Sequence, residues 1–462
     1  MMIRLHLIRL CVAFCFVSMA CAAARGEGKP NILLVMLDDS GWTDFGCFGS
    51  EIQTPNIDAL AAQGMTFTDC HAAAPNCSPS RVGMLTGRMP TRVGMYSYIP
   101  ANHPMHLPDE EITIAEVLKP HGYATGHFGK WHVSKLDSDQ PQPADQGFDY
   151  SLGTDNNALP SHRDPINFVR NGKAIGKVDG YSCQIVTDEA NRWLASLPGD
   201  QPFFSCVWFH EPHNKIASPP ELIEKYKKLY PQLNQKQATY YANIENVDLA
   251  VGQLLKKLDE LDRAKDTFVF LTSDNGGMNP WSNQGLRGQK SLVYEGGQRE
   301  PGILRWPGKV EPGSQCDDPV SHLDLLPTIC EIAGAAKPND RKLDGTSWLP
   351  ILSGQPLVRV TPLMWFFYRV APAAAMRRGD WVILGYLNDP IQQHSHALTK
   401  PDMPMIKTAR LDRFELYNLK SDQQQTNDLS ASELERLGRM RTELINLHRE
   451  IVAEGPVWEL EE

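Results

Sequence analysis

The sequence predicts an α/β fold: a large, mostly parallel sheet sandwiched by helices, followed by a smaller C-terminal α+β domain. Short continuous apolar runs recur along the first two thirds of the chain, each the pattern of a strand buried on both faces. Helical patterns alternate with these runs, and that alternation implies a parallel sheet with helices on both sides. Past Gly345 the texture changes to Pro- and Gly-punctuated chain with short strand candidates.

The N-terminus has the form of a signal peptide. Arg4 and Arg9 give it a positive start, Leu10 to Ala20 is apolar, and Ala22-Ala23-Ala24 offers a small-residue cleavage site. Export to a periplasmic, extracellular or luminal space (lysosomal in a eukaryote) is expected, and no later stretch is long and apolar enough to span a bilayer. The first strand candidate is Asn31–Leu37 (NILLVML). A helix follows from Thr54-Pro55 to about Ala62, with Thr as cap, Pro in the first turn and Gly64 as stop. Further strands are expected at Tyr123–Phe128, Pro202–Phe209 and Thr267–Thr272, with helices at Gln184–Leu197 and about Gln235–Leu261. In the C-terminal part, strands are expected at Leu363–Tyr368, Trp381–Tyr386 and Phe414–Tyr417. A last helix is expected from about Ser430 to Val452, opened by a Ser-x-x-Glu capping pattern. The expected division is 1–24 signal peptide, 29–350 catalytic domain and 356–462 small α+β domain.

Composition narrows the function. The formal net charge is −10, and loss of residues 1–24 would remove two arginines and no acids, giving −12. Nucleic acid is disfavoured as a partner, since phosphate binding relies on clustered Lys and Arg. An anionic substrate would need local positive charge or a metal to override the global field. Seven cysteines remain past residue 24: Cys47, Cys70, Cys77, Cys183, Cys206, Cys316 and Cys330. An odd count in an exported chain asks for a special role for one of them, and their wide spacing argues against a disulfide scaffold.

Four apolar runs end in polar clusters: Asp38-Asp39, Gly129-Lys130-Trp131-His132, His210-Glu211-Pro212-His213, and Asp274-Asn275-Gly276-Gly277. Ligands bind beyond the carboxyl ends of strands in open parallel sheets, so these clusters should converge on one site. Asp38, Asp39, Asp274 and Asn275 offer only oxygen, which suits Ca²⁺ or Mg²⁺ rather than zinc. Taken alone, Asp38-Asp39 reads equally well as a cap or turn. Lys130, His132, His213 and Lys290 would add positive charge and proton donors for anion hydrolysis. Cys77-Ser78-Pro79-Ser80-Arg81 precedes a helix ending at Gly87, which places residue 77 near a helix N-terminus, where anions are stabilised. Read from the residues alone, Cys77 is either a structural thiol or a nucleophile.

The set as a whole resembles the type I, formylglycine-dependent, arylsulfatase-like sulfatases of the alkaline-phosphatase superfamily. The Cys-x-Pro-x-Arg core CSPSR, the stretch Gly122 to His132, and the order DD, CSPSR, GKWH, HEPH, SDNGG and Lys290 with YEGGQREP carry the resemblance from about Asn31 to Pro301. Asn76 and Phe128 depart from residues usual in the family. The resemblance implies conversion of Cys77 to formylglycine by a formylglycine-generating or sulfatase-maturing enzyme. It implies one Ca²⁺, with Mg²⁺ as the alternative, held by Asp38, Asp39, Asp274, Asn275 and the modified Cys77. It further implies that a gem-diol at residue 77 attacks sulfur, with Asp274 assisting deprotonation and Arg81 and Lys130 orienting the diol. Lys290 and Lys130 neutralise sulfate, His213 protonates the leaving alcohol, and His132 takes the proton whose loss releases sulfate. The implied substrate is a sulfate ester, foremost of a sulfated carbohydrate. Asn102, His103 and His106, and separately Asn156, Asn157, His162 and Arg163, are candidate outer-pocket residues. Two alternative readings are a phosphodiesterase or phosphonate hydrolase on the same scaffold, and a non-catalytic glycan-binding protein. Asn76-Cys77-Ser78 is the only Asn-x-Ser/Thr sequon, and a glycan there would block the pocket.

Overall fold

The computed structural model describes residues 28–369, 371, 373–388 and 398–460, and the expected signal peptide lies outside them. Its large sheet contains β1 (Asn31–Asp38), β2 (Met65–His71), β3 (Ala124–Lys130), β4 (Tyr150–Thr154), β5 (Phe168–Arg170), β6 (Lys173–Gly176), β7 (Phe203–Pro212), β8 (Thr267–Ser273), β9 (Arg299–Arg305), β10 (Ser314–Cys316) and β11 (Val320–Ser321). The strand order is β10-β2-β9-β8-β1-β7-β3-β4-β5-β6, with β11 also on β2. The central run from β8 through β1, β7 and β3 to β4 is parallel. The sheet turns antiparallel at β9 on one side and at β5 and β6 on the other.

β1 shows why its sequence is continuously apolar. Ile32, Leu34 and Met36 point into one core, with the helices Cys77–Thr86 and Leu325–Ala333. Leu33, Val35 and Leu37 point into the other, with the helices Ser182–Ser196 and Gln235–Glu260. The side-chain period of two therefore feeds both layers, and neither face has room for a polar residue until the strand ends.

A second, antiparallel sheet joins β12 (Leu363–Phe367), β13 (Ala373–Arg378), β14 (Trp381–Leu387) and β15 (Leu411–Asn418) in that order. One face packs with the helix Leu434–Glu454 through Met364, Phe366, Ile383, Leu444 and Ile451. The other packs Trp365, Ala375 and Leu384 against Val293 and Tyr294 of the large domain.

Three expectations need correction. β3 and β7 run past Phe128 and Phe209 to Lys130 and Pro212, because neighbouring strands supply ladder partners to the polar residues, Lys130 pairing with Thr154. The last helix starts at Leu434, not Ser430: the Ser430 hydroxyl donates to Asp428 Oδ2 at 3.0 Å, and Glu433 at the N-cap makes no side-chain cap bond. β13 was not anticipated, since AAAMRR carries none of the β-branched or aromatic residues that mark strands. The seven cysteines past residue 24 are all free thiols.

Candidate active site

The site is assembled at the carboxyl ends of the parallel strands. β1 and β8 run side by side with Leu37 opposite Ser273, so the residues just beyond, Asp38-Asp39 and Asp274-Asn275, must meet. Asp39 then leaves the strand in the left-handed region, φ 68°. That conformation is costly for a residue with a Cβ and is held here by bonds from both sides. Its N–H donates to Asp274 Oδ1 at 3.1 Å, and Asn275 Nδ2 donates to its Oδ1 at 2.8 Å. Asp38, Asp39 and Asp274 bring three carboxylate oxygens within 4.8 Å of one another, all buried.

Cations close the cluster. Lys130 Nζ donates to Asp38 Oδ2 at 2.6 Å, and Lys290 Nζ to Asp39 Oδ1 at 2.6 Å. Lys130 gets there because Gly129 turns the strand at φ 105°, where a Cβ would lie 1.9 Å from the Trp208 carbonyl oxygen. The strand therefore requires glycine at this position. Arg81, fully buried, donates to Asp274 Oδ2 at 2.9 Å and to the Lys130 carbonyl at 2.9 Å, with its guanidinium 5.2 Å from the Trp208 ring centroid.

Cys77 is the first residue of the buried helix Cys77–Thr86, so Arg81 follows one turn later on the same face. The thiol sits among Lys130, Lys290, Asp38 and Asp274; burial pushes it upward, and the two lysines pull it back. His213 lies just past β7, partly exposed, with Nε2 3.5 Å from Asp39 Oδ2. His132, also left-handed at φ 53°, is buried. Its Nε2 lies 2.9 Å from the Ile99 carbonyl oxygen, leaving Nδ1 without a partner. Ile99 in turn donates its N–H to the hydroxyl of Ser78, next to Cys77, at 3.1 Å.

Electrostatics divide the carboxyls. Burial would raise Asp38, but Lys130, with His213, brings it below its ordinary range, and Lys290 does the same for Asp39. Asp274 goes the other way, raised by burial and by the charge of Asp38 against the pull of Arg81. His132 is driven well below the usual imidazole range by burial and by Lys130. Asp38 Oδ1 and Asn275 Oδ1 are buried acceptors with no hydrogen-bond partner. Orphaned oxygens in an all-oxygen cluster are what a hard cation would satisfy, so this set fits calcium. A second buried group, Asp69, His71 and Glu295, fits no metal: Arg377 and Arg299 already engage Asp69, and Arg299 and His71 engage Glu295.

Every predicted site residue thus falls in or directly beside one cluster. Of the outer-loop candidates, Asn102, His103 and His106 line a groove of about 600 Å³. His162 is instead buried beneath the site, 3.9 Å from Glu211, while Arg163 points to solvent beside Asp164. Asn76 is buried and bonded to Ser291, so its sequon cannot carry a glycan in the folded chain. Trp208 and Ile99 were not anticipated. Trp208 hides inside an apolar strand, and Ile99 acts through its backbone, which no side-chain pattern reports.

The fold and this cluster define a hydrolase that acts on an anionic ester. Residues 30–335 match the family model "Sulfatase", and the chain belongs to the sulfatase family. Human arylsulfatase A is 32% identical over 452 residues, covering 87% of this chain and 85% of its own length. N-acetylgalactosamine-6-sulfatase of Canis lupus familiaris is 34% identical over 398 residues, covering 78% and 72%. The solved structure of Ps i-CgsB in complex with k-i-k-neocarrahexaose superposes with a TM-score of 0.78 at 28% identity, covering 91% of this chain and 93% of that one. The chain is a sulfuric ester hydrolase on an alkaline-phosphatase-like fold.

Proposed function

We propose that the chain hydrolyses sulfate esters of a carbohydrate, using Cys77 as formylglycine and one Ca²⁺ held by Asp38, Asp39, Asp274, Asn275 and residue 77. The observation that carries this is the placement of Cys77 at a buried helix start, among Lys130, Lys290, Asp38 and Asp274. The relatives support a carbohydrate, being named for N-acetylgalactosamine-6-sulfate or solved with a neocarrahexaose.

Calcium, when bound, supplies positive charge against sulfate oxygens, and formylglycine supplies an oxygen nucleophile that the thiol lacks. The remaining chemistry falls to this chain's side chains. Asp274, whose Oδ2 accepts from Arg81, takes the proton of the attacking hydroxyl. Arg81 and Lys130 hold that hydroxyl in line, and Lys130 and Lys290 oppose the charge that develops on sulfate. His213, at the open side, donates a proton to the leaving oxygen. His132, neutral and donating from Nε2 to Ile99, keeps Nδ1 as an acceptor for the proton lost when sulfate departs. A catalytic unit at 29–350, a C-terminal unit at 356–462, maturation by a formylglycine-generating enzyme, and export after loss of residues 1–24 complete the proposal. No helix among the described residues is long and apolar enough to cross a membrane.

The test is mass spectrometry of the tryptic peptide ending at Arg81, together with sulfate release from a panel of defined sulfated saccharides. Formylglycine at residue 77 and one calcium per chain are expected. Unmodified thiol in fully active protein would overturn the mechanism, and two zinc ions per chain would favour a phosphodiesterase.

A further inference from the structure

A groove of about 600 Å³ lies on the C-terminal part of the molecule, and no residue of the catalytic cluster lines it. Lys407 to Leu411 form one wall, and Ile445, His448, Arg449, Val452 and Ala453 of the long helix form the other. Its floor is aliphatic and its rim is cationic. Among the described residues, Arg410 and Arg449 on that rim have no acidic partner. Arg441 lies one turn before Ile445 on the same helix, with its guanidinium 5.8 Å from the Phe414 ring centroid, and it too has no acidic partner.

The missing partners are notable in a chain with 55 acidic and 45 basic residues. Of the four acids of the helix, Glu435 pairs with Arg439 on the helix itself, and the other three are engaged elsewhere. Glu450 binds Arg92 and Lys342, Glu454 binds Arg88 and Arg92, and Glu443 binds Arg378. All four of those cations lie outside the helix, so these acids are neutralised while Arg441 and Arg449 are not. Their eight-residue separation spans about 12 Å of helix, which makes the cationic feature a strip and not a point. Lys407 fixes the end of the groove by donating to the Val452 carbonyl at 2.5 Å.

Granting the sulfated-carbohydrate substrate proposed above, we infer that this strip is an exosite for a distal anionic segment of a sulfated polysaccharide. Guanidinium matches sulfate as it matches other planar or tetrahedral oxyanions, through paired N–H donors. The local field lets an acidic protein retain an acidic polymer while its reacting sulfate is processed elsewhere.

The test compares wild type with Arg410→Glu/Arg441→Glu/Arg449→Glu, using a long sulfated polysaccharide that wild type desulfates. KM on the polymer is expected to rise about tenfold with kcat little changed, three exposed ion pairs together giving that order. The salt needed to elute the protein from the immobilised polymer should fall in parallel. Arg410→Gln/Arg449→Gln, a milder change, should shift both readouts in the same direction if the triple variant folds poorly. A polymer KM and elution salt equal to wild type would overturn the exosite while leaving the substrate class intact. If wild type desulfates no polymer, the substrate class fails, and the elution salt alone decides the exosite. Elution of duplex DNA-bound protein at the same salt as polymer-bound protein would also overturn it, by showing a strip for any polyanion.

Discussion

His213 stands 3.5 Å from Asp39 at the open side of the cluster, where a leaving oxygen would depart. A sugar hydroxyl leaves poorly without a proton, whereas a nitrophenolate leaves without help. General acid catalysis contributes about 10²–10⁴-fold where the proton is needed. His213→Ala should therefore lose about that factor in kcat/KM on a carbohydrate sulfate and far less on nitrophenyl sulfate. Lys130→Ala should harm both substrates alike, because Lys130 touches the cluster whichever group leaves. Equal losses for His213→Ala on the two substrates would make His213 a sulfate ligand and Lys290 the better acid. At this scale the sequence was nearly sufficient. Residues that meet through a parallel register, such as Asp38 and Asp274, were legible because each follows an apolar run. Ile99, which holds His132 through a carbonyl, was not legible, because backbone contacts leave no trace in residue type.

Among elements, the helix Leu434–Glu454 invites a pH test. His448 is buried on its inner face, ring to ring with Phe366 at 5.2 Å, and burial lowers its imidazole to about 4. In the unfolded chain the same ring takes up a proton near pH 6.5. Below pH 6.5 the unfolded state therefore binds more protons, so the stabilisation is complete above 6.5 and is lost as pH falls toward 4. At pH 5 the loss is about 2 kcal/mol. Amide exchange in residues 434–454, corrected for intrinsic rates, should accelerate relative to the core between pH 7 and pH 5. His448→Leu should abolish the acceleration, and an unchanged profile in that variant would refute the assignment to His448. The buried stripe of this helix was readable from its period, yet its start was not: Ser430 engages Asp428 in a turn and caps nothing. The alanine-rich β13 was likewise hidden, since its strand character comes from two paired neighbours and not from its own residues.

At the scale of the whole molecule, the two sheets are joined by a buried ionic network. Arg377 of β13 grips Asp69 of β2 with two bonds, 2.7 and 2.6 Å long. Arg299 of β9 also reaches Asp69, at 3.1 Å, and holds Glu295 at 2.8 Å. Trp365 of β12 donates to the Ala72 carbonyl at 2.8 Å, on the segment that leads from β2 to Cys77. Burial costs both partners of such a pair their hydration, so the intact pair need not be strongly stabilising, but removing one partner leaves an uncompensated charge. Arg377→Met should therefore cost about 3 kcal/mol, the low end for a broken buried pair because Arg299 still faces Asp69. Asp69→Asn/Arg377→Met should recover part of that loss, since no buried carboxylate is then left without its guanidinium. Denaturant unfolding followed by tryptophan fluorescence, which includes Trp365, measures both variants against wild type. If Arg377→Met unfolds at the wild-type midpoint, the network does not tie the sheets together. Joining them would then fall to the apolar contact of Val293 and Tyr294 with Trp365 and Leu384.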